Sequence, residues 1–374
     1  MKDIRNVAIV FHGLAPYRST LYDFIQDTLT VGGNQFHVIA GEGQSGLHPW
    51  KEKSLMPKRA PFARVKTRLL NFPVRTLIPR LDLWRALTTL NPSLVWVHEF
   101  SPFSLMALAW AIAHNRPKIV STEIGDEFAA LDDYRGLTWA QRCNQEFILR
   151  LADGVIACTP QAQTRAERLK KQCLLAPHAV DTEFFKPKSE RSGSPVVRFI
   201  QVGSYIRRKG GHLLLQAFAR AVAHQPHISL CVLGGGDAKE LKCQARDLGV
   251  ENSVEFLPFG NAQETLSEYQ RSDVFVLASL ADTYGVVTHE AAACGLPLLV
   301  SKFAGASRIL LANEKAGLTF DPNSIDETAA KIILLAENSE LRSRYATAAR
   351  LIAEQYCVRR VAHNIVTWIG SLYS

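Results

Sequence analysis

The stretch SLADTYGVVTHEAAACGLPLLV, residues 279–300, decides the fold. It continues the apolar run VFVLAS and ends on the apolar run LPLLV, and both runs predict buried strands. Residues 286–294 between them predict a helix, and Gly295 suits the position just past its end. Asp282 and Glu290 are the two carboxylates of this strand–loop–helix–strand unit. Because burying an unpaired charge is costly, two acids in an apolar stretch indicate a ligand.

The same alternation of apolar runs and amphipathic stretches extends in both directions. Strands are predicted at NVAIVF, FHVIAG, LVWVH, KIVSTE and GVIACT, and again at VRFIQVG, SLCVLGGG, VEFLPFG, DVFVLAS and LPLLVS. Strands that alternate with helices predict a parallel sheet covered on both faces. The predicted fold class is therefore α/β, with two doubly wound Rossmann-like domains that face each other across a cleft.

The boundary between the two series falls in FFKPKSERSGSPVVRF, where periodicity is lost. Its residues 186–195 predict a linker, because Lys, Ser, Gly and Pro dominate them. The domains are then 1–185 and 196–374. A chain of 374 residues is long enough for two cores. The last helix is a candidate for crossing back to the first domain.

Positive charge is concentrated in residues 51–85, which contain ten Lys or Arg and only two acids, against a net charge of +8 for the chain. Apolar residues such as Phe62 and Trp84 lie between these bases. The combination is typical of a segment that lies on an anionic membrane surface. A solvated loop and helix face stays an alternative. A nucleic-acid patch is the least favoured option, because no nucleic-acid motif accompanies the charges.

The cellular compartment and the absence of metal are predicted from simpler features. The start of the chain lacks the apolar core of a signal peptide, and no apolar run is long enough to span a bilayer. The seven cysteines are dispersed, without a CxxC pair, which favours a reducing compartment and no zinc site. We therefore expect a cytoplasmic protein, peripheral at the inner face of the cell membrane.

The residue types in two loops suit a sugar and a phosphate. Asp282 would end a strand and Glu290 would lie on the following helix, so one turn aims both acceptor groups at a ligand rich in hydroxyl groups. The alternative is a helix-start acid, favoured by the dipole, beside an unrelated loop acid. GSYIRRKGG, with Lys209, enters a helix, and helix N-termini favour anions.

These stretches together resemble one enzyme family. The pattern S-x-x-D-x-x-G-x-x-x-x-E-A-x-A-x-G-x-P resembles the E-x7-E signature of the retaining glycosyltransferases of family 4 (group 1), which have the GT-B fold. APHAVDTEFF, VGSYIRRKGGHLLLQAF, and VLGGGD with VEFLPFG resemble its other motifs in the same order. The first half matches more loosely.

The resemblance implies an activity and its partners. Members transfer a sugar from a nucleotide-diphosphate sugar, here most simply a UDP- or GDP-sugar, to an acceptor with retention of anomeric configuration. The expected acceptor is a glycan or a lipid-linked molecule of polysaccharide or glycolipid biosynthesis. No metal and no other cofactor is expected, and no nucleic acid.

The resemblance also implies roles for individual residues. Lys209 would bind the diphosphate, Glu290 the ribose hydroxyls, and Asp282 the transferred sugar. Glu123, near the position where relatives place a histidine, would contact the sugar, although an ordinary loop acid is an equal alternative. Tyr17 and Arg18 would lie on the acceptor side. Further donor-binding candidates are Gly13, Gly203, Ser204, Arg207, Arg208, Gly234, Gly235, Phe259, Gly260, Thr283, Tyr284 and Gly285.

Several positions depart from the family pattern. The first acid of the signature is Asp282 rather than Glu, and Ser204 replaces an Arg. His178 and Ala179 replace the Asn-Gly of the hinge. These departures keep two alternatives open, a non-catalytic subunit that binds nucleotide sugars and a GT-B nucleotide-sugar epimerase. His98 is interpreted as a core histidine.

Overall fold

The computed structural model describes residues 6–12, 16–41, 57–70, 76–123, 139–188 and 195–373. The chain divides into two compact units. The first comprises Met1–Phe128, Gly136–Ala179 and Val358–Ser374, and the second comprises Ala129–Arg135 and Val180–Cys357. The predicted linker, 186–195, falls in the range of the second unit, and its residues 189–194 lie outside the described residues.

The first unit contains a seven-stranded parallel sheet in the order β3-β2-β1-β6-β7-β8-β9. Its central strands are apolar on both faces, as expected when helices cover both sides of a parallel sheet. The strands are β1 (Asn6–Phe11), β2 (Gln35–Gly41), β3 (Phe62–Val65), β6 (Leu94–His98), β7 (Lys118–Thr122), β8 (Gly154–Ala157) and β9 (Gln172–Leu175).

Six described helices belong to this unit: α1 (Pro16–Thr30), α2 (Leu81–Leu90), α3 (Pro102–Ala113), α4 (Trp139–Leu151), α5 (Pro160–Arg168) and α13 (Val358–Leu372). Helix α13 comes from the end of the chain and packs on α1. The guanidinium of Arg359 lies 5.2 Å from the ring centre of Phe24. Trp368 packs so closely on Gly154 that a Cβ there would lie 2.8 Å from the indole. The last helix therefore completes the first unit.

An antiparallel hairpin, β4 (Thr67–Leu70) and β5 (Thr76–Pro79), lies within the basic segment 51–85. Neither strand belongs to the predicted series, because each has only four residues and lies among charged positions. Residues 51–56 and 71–75 of this segment lie outside the described ranges.

The second unit contains a six-stranded parallel sheet in the order β12-β11-β10-β13-β14-β15. Two buried clusters cover its two faces, one around Phe275 and Leu298 and the other around Phe199 and Phe218. The strands are β10 (Val197–Val202), β11 (Ile228–Gly234), β12 (Val254–Pro258), β13 (Val274–Leu277), β14 (Leu298–Ser301) and β15 (Gly317–Phe320).

Among the residues that the structure describes, seven helices belong to the second unit: α6 (Gly211–His224), α7 (Lys239–Asp247), α8 (Ala262–Gln270), α9 (Val287–Ala293), α10 (Ser307–Leu310), α11 (Ile325–Glu337) and α12 (Ser339–Gln355). Helix α9 lies where the sequence predicted it, and Gly295 follows with a φ of 70°. The left-handed conformation of Gly295 ends the helix as expected.

Both units are doubly wound, so the predicted fold class is confirmed. The direction of strand addition reverses between β1 and β6 in the first sheet and between β10 and β13 in the second. Ligands of open α/β sheets bind at the carboxyl ends of strands at such reversal points. The predicted cleft between the domains stays a prediction.

Among the residues that the structure describes, no helix has both the length and the apolar character needed to cross a bilayer.

Candidate functional site

Lys209 lies at the reversal point of the second sheet. It ends a short 3-10 helix, Arg207–Lys209, that follows β10 and precedes α6. Gly210 joins the two with a φ of 69°, and a Cβ added to it would lie 1.9 Å from the carbonyl oxygen of Ala278. Only glycine fits this close approach. The loop after β10 is thus pressed against the end of β13.

Asp282 follows β13 and contacts Lys209 directly. The Lys209 Nζ lies 2.5 Å from Asp282 Oδ2, and the Ser279 hydroxyl lies 3.3 Å from the same oxygen. The two loops are also joined through Arg208, whose carbonyl accepts the backbone N–H of Leu280 at 2.8 Å. The Arg208 guanidinium donates to the Ala281 carbonyl at 2.6 Å. The structure therefore brings together two of the predicted catalytic residues.

The other flank of this acidic loop is fastened to the segment after β14. The Asp282 N–H donates to the Phe303 carbonyl at 3.1 Å, and the Asp282 carbonyl accepts from Gly305 at 3.2 Å. The backbone carbonyl of Tyr284 accepts the N–H of Ala306 at 2.8 Å. Since both flanks are hydrogen-bonded, the backbone of Asp282 is fixed before any ligand arrives.

Glu290 lies in the first turn of α9 and is partly buried. Burial of the carboxyl raises its pKa to about 7, although a hydrogen bond from the Tyr269 hydroxyl acts in the opposite direction. That hydroxyl lies 3.0 Å from Glu290 Oε2. A second buried tyrosine, Tyr284, has its hydroxyl 2.7 Å from Nε2 of His289. Two tyrosines thus hold the consecutive residues His289 and Glu290.

The glycine-rich turn after β11 lies against the loop after β10. A Cβ on Gly234 would lie 2.2 Å from the Gly203 carbonyl oxygen, so a side chain there would separate the loops. The Gly235 carbonyl accepts the backbone N–H of Tyr205 at 2.7 Å, and the Gly234 carbonyl accepts the backbone N–H of Phe259 at 2.9 Å. The loops after β10, β11 and β12 therefore form one surface of predicted donor-binding residues.

The other predicted donor-binding residues differ in exposure. Arg207 and Gly260 are exposed, whereas Gly203 and Gly285 are buried. Ser204 and Thr283 are intermediate. Gly13 lies outside the described residues. The donor-binding role of each residue stays a prediction.

Glu123 lies in the first unit, directly after β7, and is contacted by an arginine and a histidine. The Arg18 guanidinium forms an ion pair with its Oε1. His178 Nε2 lies 2.6 Å from the same oxygen. Burial on its own would raise the pKa of Glu123, but His178 and Arg18 outweigh it and hold the pKa far below its usual range. Glu123 is therefore a fixed, ionised carboxylate, unlike an ordinary loop acid.

Two further buried groups complete this cluster. Glu99 accepts the backbone N–H of Glu123 at 2.7 Å and the hydroxyl of Thr122 at 3.1 Å. Burial and the charge of Glu123 raise the pKa of Glu99. His98 is buried and lies 2.9 Å from the Ser121 hydroxyl, as a core histidine would, but Arg18 Nη1 also lies 3.2 Å from its Nδ1.

His98, Glu99 and Glu123 offer ligand atoms that lie within 4.8 Å of one another. The guanidinium of Arg18 contacts two of these three residues, so a positive charge already lies among them. A second cation would be repelled at this distance. Arg18 fits the cluster better than a metal does, and metal independence stays a prediction.

Sequence reasoning missed His178, Glu99 and Tyr269. A signal for His178 was present, because the sequence analysis already marked His178 as a departure from the hinge motif of the family that the chain resembles. Glu99 gave only a weak signal, as an acid beside an apolar strand, and its φ of 58° is unusual for a non-glycine residue. Tyr269 gave none, since a tyrosine near a helix end is ordinary.

Two family profiles match the chain. Residues 181–352 match Glycosyl transferases group 1, and residues 27–184 match Glycosyltransferase Family 4. A D-inositol 3-phosphate glycosyltransferase from Corynebacterium urealyticum is 30% identical over 212 residues, which is 51% of this chain and 49% of that protein. A phosphatidyl-myo-inositol mannosyltransferase from Mycobacterium tuberculosis is 29% identical over 209 residues, 54% of each. The match spans about half the length of these curated relatives.

Among solved structures, HepE from Anabaena in complex with UDP and glucose superposes with a TM-score of 0.73. The superposition covers 98% of this chain and 100% of that one at 18% sequence identity, so it shows a shared fold. Together with the two profiles and the curated relatives, it confirms the family that the sequence motifs indicated. The chain belongs to the glycosyltransferases of family 4, group 1, with the GT-B fold.

Proposed function

We propose that the protein is a retaining glycosyltransferase that moves a sugar from a nucleotide-diphosphate sugar to a hydroxyl group of a glycan or lipid-linked acceptor. The observation that carries the proposal is the contact between Lys209 and Asp282 at the reversal point of the second sheet. A cation suited to a diphosphate thus lies beside an acceptor group suited to sugar hydroxyls, which supports the proposal. Membership of the family supports the same activity.

The donor would be held by groups of complementary chemistry. Lys209 and the first turn of α6 favour a diphosphate, because a cation and a helix N-terminus both attract anions. Glu290 offers an oxygen acceptor to the ribose hydroxyls. The complex of HepE with UDP and glucose supports a UDP-sugar as the first donor to test, with GDP-sugars next.

The reaction would proceed on one face of the sugar. The bond between the anomeric carbon and the β-phosphate oxygen breaks, and a bond to the acceptor oxygen forms on the same side. The acceptor hydroxyl passes its proton to the departing diphosphate. Lys209 would stabilise the negative charge that develops on this leaving group. Since cationic side chains supply the charge, the proposed reaction is independent of a metal ion.

The cluster around Glu123 lies in the first unit and would bind a hydroxyl group of a substrate there. Its carboxylate is ionised and held by Arg18 and His178, so it is fixed in position to accept a hydroxyl hydrogen. Tyr17 is part of this cluster, because its ring packs edge-on against His178 at 5.3 Å. We assign Tyr17 and Arg18 to the acceptor side on this basis.

The acceptor would be reached at the cytoplasmic face of a membrane. Within 51–85, the described bases Lys58, Arg59, Arg64, Lys66, Arg80 and Arg85 are all exposed. Leu81 beside them is 67% exposed. Exposed bases next to an exposed apolar side chain suit anionic headgroups. The M. tuberculosis relative, named for phosphatidyl-myo-inositol, supports a lipid-linked acceptor.

The donor test is a thermal-shift screen against UDP-, GDP-, dTDP- and ADP-sugars. A ligand that binds only the folded protein raises the melting temperature. We expect one donor to stabilise the wild type but neither Lys209→Met nor Glu290→Ala. Incubating that donor with labelled lipid or glycan acceptors then checks transfer, and the anomeric configuration of the product checks retention.

Different outcomes would support other functions. Binding without turnover in the presence of membrane extracts would support a non-catalytic subunit, and conversion of the donor without any acceptor would support an epimerase. No shift with any donor would contradict the donor site itself.

The membrane test compares sedimentation with anionic and neutral vesicles. We expect binding to anionic vesicles only, weakened by about 100-fold when Lys58, Arg64 and Lys66 are replaced by serine, because three bases near the surface contribute about 1 kcal/mol each. The matched control replaces the bases Lys239, Lys242 and Arg246 of α7, outside the segment. Equal and negligible binding to both vesicle types would contradict membrane association.

A further inference from the structure

We propose that Tyr269 is a positioning residue for Glu290. The hydroxyl of Tyr269 donates a hydrogen bond to one carboxylate oxygen of Glu290 and so directs the other oxygen to the ribose of the donor. The inference rests on the proposed function, because it assigns Glu290 to the ribose. It concerns a residue on α8, outside every motif that the sequence analysis used. Tyr269 acts through Glu290 and is not itself proposed to touch the substrate.

The contact is built from rigid parts. Tyr269 is completely buried, and its ring packs edge-on against Phe185 at 6.1 Å and Phe275 at 6.3 Å. These neighbours leave the phenol little freedom to rotate. Its hydroxyl lies 3.0 Å from Glu290 Oε2 and 3.3 Å from the Val287 carbonyl oxygen. The shorter contact joins the last turn of α8 to the first turn of α9.

The start of α8 is fixed as firmly as its end. Asn261 caps the helix by accepting the N–H of Glu264 at 3.0 Å, and the Glu264 carboxylate accepts the N–H of Asn261 at 2.9 Å. This reciprocal pair satisfies two backbone donors at the helix start. Since both ends of α8 are held, the position of the Tyr269 hydroxyl is set by the fold.

The contact with Tyr269 engages only one of the two carboxylate oxygens of Glu290. Tyr269 donates to Oε2, and within the described part of the chain Oε1 makes no hydrogen bond. An ionised carboxylate can accept on both oxygens, so Oε1 is left for a ligand hydroxyl. The phenol also favours the ionised form of the carboxyl group, which is the form that can accept on both oxygens.

The other charged groups nearby act elsewhere. Helix α9 packs against α12, β13 and β14, and neither strand has a titratable side chain. On α12, Arg350 donates to the Ala293 carbonyl at 2.6 Å and pairs with Glu354. On α9 itself, His289 faces Tyr284, and just past the end of α9 the buried thiol of Cys294 lies near Tyr269. Tyr269 is thus the described side chain that hydrogen-bonds to Glu290.

This arrangement has a signature in the pH dependence of binding. A hydrogen bond to the ionised carboxylate favours that form, so losing it raises the pH at which Glu290 becomes an acceptor on both oxygens. A merely structural role would weaken binding equally at every pH. The two roles can therefore be distinguished by one titration series.

The experiment measures the affinity of the full chain for UDP by calorimetry between about pH 5.5 and pH 9. If UDP gives no heat, GDP, ADP and dTDP are tried in turn. For Tyr269→Phe we expect the midpoint of the pH profile to rise by about one unit. Affinity should then fall by roughly ten-fold below the midpoint and approach the wild-type value at the alkaline end.

Two matched variants make the test specific. Tyr345→Phe removes another buried tyrosine's hydroxyl in the second unit, in the cluster on the opposite face of the sheet, and should leave the profile unchanged. Glu290→Gln should remove the part of the pH dependence that comes from this carboxyl group and leave the part that comes from the UDP phosphate, and adding Tyr269→Phe to it should cause no further shift of the midpoint. The Glu290→Gln variant tests the same contact even if Tyr269→Phe fails to fold.

The outcomes separate the inference from the proposed function. A uniform loss of affinity at all pH values, or an unchanged midpoint in Tyr269→Phe, would overturn the positioning role while nucleotide binding stands. A midpoint shift that Tyr269→Phe still causes in the Glu290→Gln background would overturn it as well. A wild type that binds no nucleoside diphosphate at any pH would contradict the proposed function, and the inference with it.

Discussion

The ammonium of Lys209 and the carboxylate of Asp282, 73 residues apart in sequence, form an ion pair with Nζ 2.5 Å from Oδ2. Both side chains are largely buried, with exposed fractions of 16% and 9%. Each residue thus neutralises the other while no ligand is bound. A diphosphate that binds Lys209 has to compete with Asp282 for the same ammonium.

This competition gives the first prediction. Asp282→Asn should keep or strengthen affinity for UDP, because the ammonium is released, but should abolish transfer, because the acceptor group for the sugar is lost. Lys209→Met should lower the affinity for UDP by roughly 10- to 100-fold, which is the usual effect of losing a charge-assisted hydrogen bond. Calorimetry with UDP and a transfer assay with the UDP-sugar give the two readouts. Weaker UDP binding by Asp282→Asn would contradict the competition.

The second prediction concerns the close approach at Gly210. Gly210→Ala should abolish nucleotide binding, because its Cβ would lie 1.9 Å from the Ala278 carbonyl oxygen and force apart the loops that hold Lys209 and Asp282. Gly249 provides a matched control, since its φ of 70° is nearly the same but no atom lies within 4 Å of the added Cβ.

For Gly249→Ala we therefore expect only the backbone cost of a left-handed alanine, about 1 kcal/mol of stability, with unchanged nucleotide affinity. Thermal melting and calorimetry on both variants check the pair. Equal behaviour of the two variants would show that steric contact at Gly210 plays no part.

The third prediction is a pH dependence of stability that comes from Glu290. The carboxyl titrates near 4.5 in the unfolded chain and at about 7 in the folded protein. Between these values the folded state binds more protons, so the free energy of unfolding falls as pH rises. Glu290→Gln removes this effect. The variant should equal the wild type at about pH 4.5 and exceed it by at most about 3 kcal/mol above pH 7.

Urea unfolding of both proteins across this pH range measures the difference directly. Unfolding within the second unit has to be followed by a probe of that unit, because two units need not unfold together. A difference between the proteins that stays constant with pH would contradict the raised pKa.

The fourth prediction concerns the buried charges around Glu123. Arg18→Met should cost about 3 kcal/mol or more, because it leaves the Glu123 carboxylate buried with one cation fewer. The double variant Arg18→Met, Glu123→Gln should be more stable than Arg18→Met alone, since both charges are then absent. Lys118→Met is the control, because its partner Asp153 is 40% exposed, and it should cost under about 1 kcal/mol. A double variant less stable than Arg18→Met would contradict the pairing.

Sequence patterns predicted those elements of the protein that are determined by residues close together in the sequence. Buried strands such as Asn6–Phe11 and Val274–Leu277 are short apolar runs between helical stretches, and their order alone predicts two doubly wound sheets. The roles of Lys209 and Asp282 were predicted from the motifs of the family that the sequence resembles, and each residue lies in a loop that follows such a strand. The short strands of the basic segment gave no periodic signal.

Contacts between distant residues were harder to predict. Arg18 and Glu123 were both singled out, yet their pairing depends on 105 residues of intervening chain. The role of Tyr269 depends on a side-chain direction at the end of α8, which the spacing of apolar residues does not determine. Loop partners such as Phe303 and Gly305 contribute backbone groups, and any residue type supplies these.

Helix α13 has a consequence for the order in which the protein can be made. It packs on α1 and against Gly154, although it is synthesised after the whole of Val180–Cys357. A ribosome therefore releases all of Val180–Cys357 before α13 can join the first unit. The second unit can fold during translation before α13 is made, whereas the first unit, although it begins earlier, waits for α13. Nascent chains stalled before and after residue 358 should differ in protease resistance of the first unit alone.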